Sequence, residues 1–379
     1  MSVRFWARAP VVAWLLCALM GHPVAAGSLV DELSPVEASG QGSVLLEELI
    51  RTSVLGADFP TTATTPSVTY TFDPASGVFV RASGSLGPAF AERGETTGKG
   101  KATLGMSYLF ASFETLNGDD LDGLQQTMRT TGAGGALRDT LSFSSFTLDS
   151  HVFAFSGTYG ITDAWDVNAV VPVVYTILEA DGKVDVRVAG STPDPVSIDA
   201  DDSAFGIGDI LLRTKYRLTP SGRPLQVAAG LGLRLPAGEE DDFQGLGDWV
   251  VTPFVVGSYV LEAFDFHVNV GVDANTDDEE RSRLRWAAGV TVQLGERVGL
   301  LFDFLGSSAF TDDEFRVHSP ASATALRGRV ERGDNIFAAP GLKFGLTPST
   351  VAFAGAIVPL RSDGLQAEVV PTGGVEWTF

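Results

Sequence analysis

Val375-Glu376-Trp377-Thr378-Phe379 is the stretch that decides the fold class, and it ends the chain. Counting back in steps of two from Phe379 places Trp377 and Val375 on one face of an alternating strand. The last strand of a transmembrane β-barrel must pair with the first, because an open edge leaves backbone groups without hydrogen bonds in lipid. A soluble β-sheet protein can also end on an aromatic residue, so the rest of the sequence decides between the two.

The first 26 residues resemble an export signal. Arg4 and Arg8 supply positive charge, residues 11–20 form an apolar run, and a small-residue cleavage site ends at Ala26. The apolar run is too short to span a bilayer. We therefore predict a signal peptide at residues 1–26 and an exported mature chain.

The charge balance excludes several kinds of ligand. The chain carries 26 Lys and Arg against 47 Asp and Glu, a formal net charge of −21. Such a balance argues against nucleic acid or anionic lipid as a bound ligand. Forty-three glycines and 9% aromatic residues suit a sheet protein with many turns.

From about residue 101 the sequence alternates between apolar and polar residues, most clearly over residues 263–274. This pattern predicts an all-β fold, a transmembrane antiparallel up-and-down β-barrel with both ends at the periplasm. Twelve strands are predicted, at residues 101–113, 145–160, 164–177, 206–218, 224–236, 248–261, 263–274, 283–294, 297–306, 334–346, 350–360 and 367–379.

The connections between these strands are alternately short and long. The long ones cover residues 114–144, 178–205, 237–247, 275–282, 307–333 and 361–366. Membrane barrels have tight periplasmic turns and longer external loops, whereas a soluble sandwich has no reason to alternate. The alternation favours the membrane barrel.

Side chains on the polar face of each strand are predicted to line the lumen, while the apolar face meets lipid. Asp209 is expected near Arg234 and Asp273 near Arg283, as structural ion pairs first and ligand contacts second. The residues predicted to line the lumen and the substrate path are Asp209, Arg213, Lys215, Arg234, His267, Arg283 and Arg285.

Two acidic runs, residues 239–242 and 277–280, lie on predicted external loops. They could bind divalent cations that bridge to lipopolysaccharide, or they could be solvated loop tips. Neither run has the spacing of a calcium loop, which favours the second interpretation. We predict no metal site and no cofactor.

Residues 27–100 do not follow the barrel pattern, and we predict that they form an N-terminal plug or periplasmic segment before a barrel at residues 101–379. The stretch around Gly84–Lys101 is expected to enter or cap the periplasmic mouth. Glu92 and Arg93 are then candidate plug or gate residues. The alternative is a loose periplasmic extension, since the linker at residues 61–66 is rich in threonine.

Several segments resemble a known family, among them residues 86–93, 206–216, 232–238 and 245–248. They are similar to the outer-membrane transporters of the "MetA-pathway of phenol degradation" family, which is related in architecture to long-chain fatty-acid channels. The likeness runs from about residue 86 to the end of the chain. It implies passage of small hydrophobic or aromatic molecules, and an N-terminal segment that gates the pore.

The leading hypothesis is a passive channel of the bacterial cell outer membrane for small, hydrophobic or aromatic molecules. The alternative is a structural or adhesive barrel without transport activity. We do not expect an enzyme, because no nucleophile, base and acid converge in the sequence. The expected partners are outer-membrane lipid and lipopolysaccharide, a small-molecule substrate, and the barrel-assembly machinery through the strand ending at Phe379.

Overall fold

The structure, a computed structural model, describes residues 28–33, 43–56, 67, 70–73, 78–81, 86–132, 135–188, 194–261, 263–295, 297–317, 326–330, 333–361 and 363–379. The predicted signal at residues 1–26 lies outside these ranges. The described chain contains two α-helices, α1 (Leu29–Leu33) and α2 (Val44–Gly56). Its strands are β1 (Tyr70–Asp73), β2 (Val78–Arg81), β3 (Ala102–Leu116), β4 (Asp119–Asp120), β5 (Gln125–Gly132), β6 (Gly135–Thr162), β7 (Trp165–Val188), β8 (Val196–Ile207), β9 (Ile210–Arg217), β10 (Leu225–Leu235), β11 (Val250–Val260), β12 (Phe264–Asn275), β13 (Arg283–Gln293), β14 (Val298–Ala309), β15 (Asp313–Val317), β16 (Leu326–Val330), β17 (Asp334–Thr347), β18 (Thr350–Pro359), β19 (Leu365–Ala367) and β20 (Val370–Thr378).

The main sheet closes into an antiparallel barrel, which confirms the predicted fold class. Twelve strand positions follow one another around it: β3, β6, β7, β8 with β9, β10, β11, β12, β13, β14, β17, β18 and β20. Strands β8 and β9 share one position because both pair with β7. Closure brings Val375 opposite Met106 and Trp377 opposite Leu104, so the predicted pairing of the last strand with the first is confirmed.

The two ends of the barrel differ in their connections. Short turns join β6 to β7, β9 to β10, β11 to β12, β13 to β14 and β17 to β18, and β3 begins and β20 ends at the same end. The other end carries the long connections. Because transmembrane barrels have short periplasmic turns, we assign the short-turn end to the periplasm.

Outward side chains in the central part of the barrel are apolar. Val268, in the middle of β12, is 55% exposed. Trp286 covers Gly306 on the same outer face, since a Cβ at that glycine would collide with the indole ring. Arg285 points to the opposite face and bonds Asp273 at 2.7 Å. The predicted register is therefore confirmed for this strand, with arginine inward and tryptophan toward lipid.

Several predicted loops contain strand residues, and those loop assignments are wrong. Residues 114–144 include β4, β5 and the first part of β6; residues 178–205 include the end of β7 and most of β8; residues 307–333 include β15 and β16; and residues 361–366 include the first two residues of β19. Strands β5 to β8 form a wall that extends beyond the external end of the barrel.

The loops in this wall were predicted wrongly because the outer face of β7 changes from apolar to charged along the strand. We call this change the polarity inversion. The outward residues are apolar through Tyr175 and Ile177 but become charged at Glu179. The inward residues are apolar from Val170 onward apart from Thr176, and they stay apolar above this point, with Val184 buried. Below the inversion the outer face meets lipid, and above it the outer face meets water. The inversion therefore marks the external edge of the membrane.

The two helices pack on the apolar inner face of this external wall. Helix α1 contacts β8, and helix α2 contacts β6, β15 and β16. Their buried leucines join one hydrophobic cluster with Leu141 and Leu178. Within the described ranges, no helix is long and apolar enough to cross a bilayer. By their packing, α1 and α2 lie at the external end, beyond the membrane.

Asp139 of β6 binds the beginning of α2. Its carboxylate accepts hydrogen bonds from the N–H groups of Val44 and Leu45 at 2.7 and 3.2 Å, and from the Ser43 hydroxyl at 3.0 Å. Ser43 in turn accepts from the N–H of Leu46. These bonds satisfy the amides that every helix leaves unpaired at its N-terminus. They fix α2 to the external wall.

We expect Asp139 to make stability depend on pH. Burial raises the pKa of its carboxyl above the ordinary value of 3.8, although the hydrogen bonds from Leu45, Ser43 and Val44 oppose the shift. The native state then holds the proton more tightly than the unfolded state, so stability rises as pH falls from the raised native pKa toward 3.8. Urea unfolding between neutral pH and about pH 4 should show wild type gaining stability relative to Asp139→Asn. A constant difference between the two proteins would contradict this.

Candidate functional site

Residues 86–100, called the plug below, lie in the periplasmic half of the lumen without regular secondary structure. Most of them are buried. The Asp303 carboxylate of β14 accepts hydrogen bonds from the N–H groups of Ala89, Phe90 and Ala91, at 3.2, 2.9 and 3.4 Å. Irregular backbone inside a barrel needs such partners, because its amides have no ladder to join.

Other barrel side chains bind the plug in the same manner. Asn269 accepts from the N–H of Glu92 at 2.9 Å and donates to its carbonyl at 3.1 Å. The Lys343 ammonium donates to the Leu86 and Pro88 carbonyls. Farther along, Asp166 accepts from the N–H of Thr97, and the Lys215 ammonium donates to the Arg93 carbonyl. The plug is thus attached through its backbone on several sides of the lumen.

Two glycines of the wall leave the space that the plug occupies. A Cβ on Gly160 would collide with the carbonyl of Gly98. A Cβ on Gly289 would collide with the Asp303 carboxylate and come within 3.5 Å of the Ala91 side chain. Larger residues at these positions would displace the plug or the carboxylate that binds it.

A cavity of about 180 Å³ lies on the external side of the plug. Phe90 and Glu92 of the plug contribute to its lining. Four arginines line one side of it, from β9, β10 and β13: Arg213, Arg234, Arg283 and Arg285. Acidic partners neutralise part of this charge, since Arg234 lies 3.5 Å from Asp209.

The opposite side of the cavity is apolar. Phe113, Leu305, Phe337 and Val370 line it, from β3, β14, β17 and β20. This differs from the expectation of a polar inner face, because the inward positions of these strands are apolar at this level. The lumen is therefore two-sided, with an arginine wall and an apolar wall.

A larger cavity of about 910 Å³ lies at the external mouth. It is lined by polar residues of α2 and of the external hairpins, and it shares five lining residues with the inner cavity. The shared residues are Arg283, Ser307, Asn335, Leu365 and Gln366. The two cavities form one path from the external mouth to the plug.

The predicted lumen residues divide into two groups. The four arginines line the inner cavity, whereas Asp209, Lys215 and His267 are buried away from it. Asp209 accepts from the N–H groups of Gly238 and Leu246 and so holds the external loop inward. Their role on a substrate path stays a prediction.

The predicted ion pairs lie on the barrel strands, and the predicted gate residues lie on the plug. Asp209 pairs with Arg234 at 3.5 Å, and Asp273 pairs with Arg285 at 2.7 Å. Arg283 lies directly opposite Asp273 in the ladder. On the plug, Arg93 is 1% exposed and its guanidinium lies 3.4 Å from Glu95.

Sequence reasoning missed the residues that hold the plug. Asp303 was the one with a visible signal, because it interrupts the apolar run of residues 300–305. A lone carboxylate there must find hydrogen-bond donors inside the barrel. Asn269 and Lys343 sit at ordinary polar positions, and nothing in the sequence distinguishes them.

The external acidic runs contact one arginine. Arg281 lies 3.2 Å from Glu240 of the first run and 3.5 Å from Asp278 of the second, and 3.0 Å from Asp248, which lies outside both. In the part of the chain that the structure describes, no three His, Cys, Asp or Glu side chains are grouped to hold a metal ion. The runs act here as partners that join external loops.

No curated protein sequence is significantly similar to this chain. Among solved structures, the chain is similar to an outer membrane channel from Pseudomonas putida F1, with 12% identity over 75% of this chain and 97% of that one and a TM-score of 0.49. It is also similar to the monoaromatic hydrocarbon channel CymD, with 12% identity over 74% and 89% and a TM-score of 0.39. A third is the toluene transporter TbuX of Ralstonia pickettii, with 13% identity over 74% and 90% and a TM-score of 0.30.

A protein-family model identifies the chain more directly. The model described as "Putative MetA-pathway of phenol degradation" matches residues 122–358, which is more than half of the chain. The match covers the strands from β5 to β18, and with them the arginine wall and Asp303. The chain belongs to the family described as putative MetA-pathway of phenol degradation.

Proposed function

We propose that this protein is a channel of the bacterial outer membrane for passive uptake of small hydrophobic or aromatic molecules. The observation that carries the proposal is the two-sided inner cavity, which joins the external mouth and ends at the plug. The apolar wall suits an aromatic ring, and the arginine wall suits a hydroxyl or an anionic group on it. No catalytic role is assigned to any residue.

The family description supports an aromatic substrate. Phenol has a small ring and one polar group, which is the kind of molecule that such a cavity accommodates. The size of the inner cavity favours single-ring compounds over large polar nutrients.

Liposome swelling with the purified mature protein tests this function. We expect faster swelling in phenol or benzyl alcohol than in a sugar of similar mass, since only the former match the apolar wall. Barrel-free liposomes correct for direct diffusion through lipid. Equal rates with and without the protein, for every solute, would contradict the channel and favour a structural barrel.

The proposed organisation is a signal at residues 1–26, an N-terminal segment at 27–100 whose residues 86–100 form the plug, and the membrane barrel at 101–379. The barrel contacts outer-membrane lipid and, at its external rim, lipopolysaccharide. Phe379 is 65% exposed on the lipid side of the periplasmic rim. This exposure would allow the barrel-assembly machinery to recognise the last strand.

We expect deletion of Phe379 to lower the amount of assembled barrel severalfold, because the closing strand then lacks its terminal aromatic side chain. Heat-modifiable mobility of membrane fractions measures this assembly. Phe379→Tyr is the control, since it keeps an aromatic end. Normal assembly after the deletion would contradict the assembly role.

A further inference from the structure

Glu92 places a carboxylate in the channel at the arginine wall. Its side chain lines the inner cavity, with one oxygen 3.7 Å from Arg213 and the other 3.5 Å from Lys215. Close charge-assisted bonds are about 2.7–2.9 Å long, so both contacts are loose. The Arg285–Asp273 pair on the same wall is tight, at 2.7 Å.

The backbone of Glu92 is fixed in place by the barrel, whereas its carboxylate reaches Arg213 and Lys215 at the wall of the cavity. Asn269 binds both its N–H and its carbonyl. The next residue is held through its carbonyl by Lys215. The side chain can therefore swing away from Arg213 by a rotamer change, without movement of the plug backbone.

Beside this carboxylate, Phe90 of the plug and the apolar wall border the same cavity. An aromatic carboxylate entering from the external mouth would lay its ring on the apolar wall. Its carboxylate would then compete for the guanidinium that Glu92 contacts. Carboxylates match arginine geometry better than a neutral hydroxyl does.

We propose that the Glu92 carboxylate occupies the cationic site that binds the anionic group of a substrate. Small aromatic carboxylates are then substrates that displace it from this site. This inference rests on the proposed channel function. In the absence of substrate the Glu92 carboxylate occupies the cationic site and partly neutralises it. A bound carboxylate takes its place and moves on as Glu92 returns.

The test measures benzoate in planar bilayers containing the full mature chain. Benzoate added on the external side should reduce the chloride current by occupying the cationic site. With Glu92→Gln we expect the apparent affinity for benzoate to rise about tenfold. This is the factor expected if the Glu92 carboxylate fills the site about nine-tenths of the time in wild type, because only about one-tenth of the sites are then open to benzoate. Affinity for neutral benzamide should not change. The double variant Glu92→Gln with Arg213→Gln should lose the gain.

Glu376→Gln is the matched control. Glu376 also faces inward and lies 3.7 Å from a lysine, Lys343, and its side-chain exposure is 16% against 12% for Glu92. It accepts a hydrogen bond from the Ser67 N–H at 2.9 Å and does not line the cavity. The proposal is overturned if both variants raise benzoate affinity equally, or if Glu92→Gln leaves it unchanged while phenol still permeates. Failure of every aromatic solute to permeate wild type would overturn the channel function itself.

Discussion

A channel with Asp303→Ala is expected to open far more often than wild type. The substitution removes the acceptor of three plug N–H groups. Hydrogen bonds to a charged group contribute about 1.5–3 kcal/mol each, so losing them should raise the displaced fraction of the plug by about 100-fold or more. Single-channel recordings would show this as a higher open probability. Asp303→Asn keeps one acceptor oxygen and should give an intermediate effect.

The control for this variant is Thr291→Val. Thr291 is buried and faces inward on β13, and its hydroxyl makes no hydrogen bond to any described residue. The change keeps the shape of the side chain, so the plug should stay in place. Heat-modifiable mobility confirms that each barrel is folded. Wild-type conductance from a folded Asp303→Ala channel would show that these bonds do not hold the plug.

Val268→Arg is expected to destabilise the barrel by about 2–4 kcal/mol, the cost of a cation at the bilayer midplane. Val268 is the central one of five outward apolar residues on β12, with Phe264 and Val272 at the two ends. Urea unfolding in phospholipid vesicles measures the change. The expected loss is a large part of the stability of a typical domain.

Ser145→Arg provides the contrast. Ser145 also points outward and lies opposite Asp181, but it stands above the polarity inversion of β7. There the outer face meets water, so we expect a change within about 0.5 kcal/mol. Similar losses for both variants would show that the membrane reaches above Ile177.

The barrel was predictable because one signal specifies it at every strand. Alternation along β12 and β13 places Val268 and Trp286 outward and Arg285 inward, and a slip of one residue would bring arginine into lipid. The external wall was not predictable by the same rule. Beyond Ile177 the outward residues become charged, so the end of β7 resembles a charged loop when an apolar outer face is assumed throughout.

The site was predictable only in part, for a different reason. The four arginines follow from parity, since a cation cannot face lipid cheaply. The apolar wall was missed because a polar inner face was assumed throughout, whereas the inward residues Phe113 and Leu305 are apolar. The plug contacts were missed because a carboxylate such as Asp303 bonds to backbone amides. Every residue except proline carries such an amide, so no sequence pattern marks the partner.

The same property has a consequence for how the family diverges. Asp303 and Asp166 in the lumen, and Asp139 at the external wall, bind main-chain N–H groups and make few demands on the side chains that follow them. Substitutions in the plug or in α2 can therefore accumulate while the attachment persists, whereas a change at any of these aspartates breaks it at once. Among relatives we expect these aspartates of the wall to be invariant, while the plug sequences diverge until they no longer align. The substrate can then change during evolution without a change in the barrel.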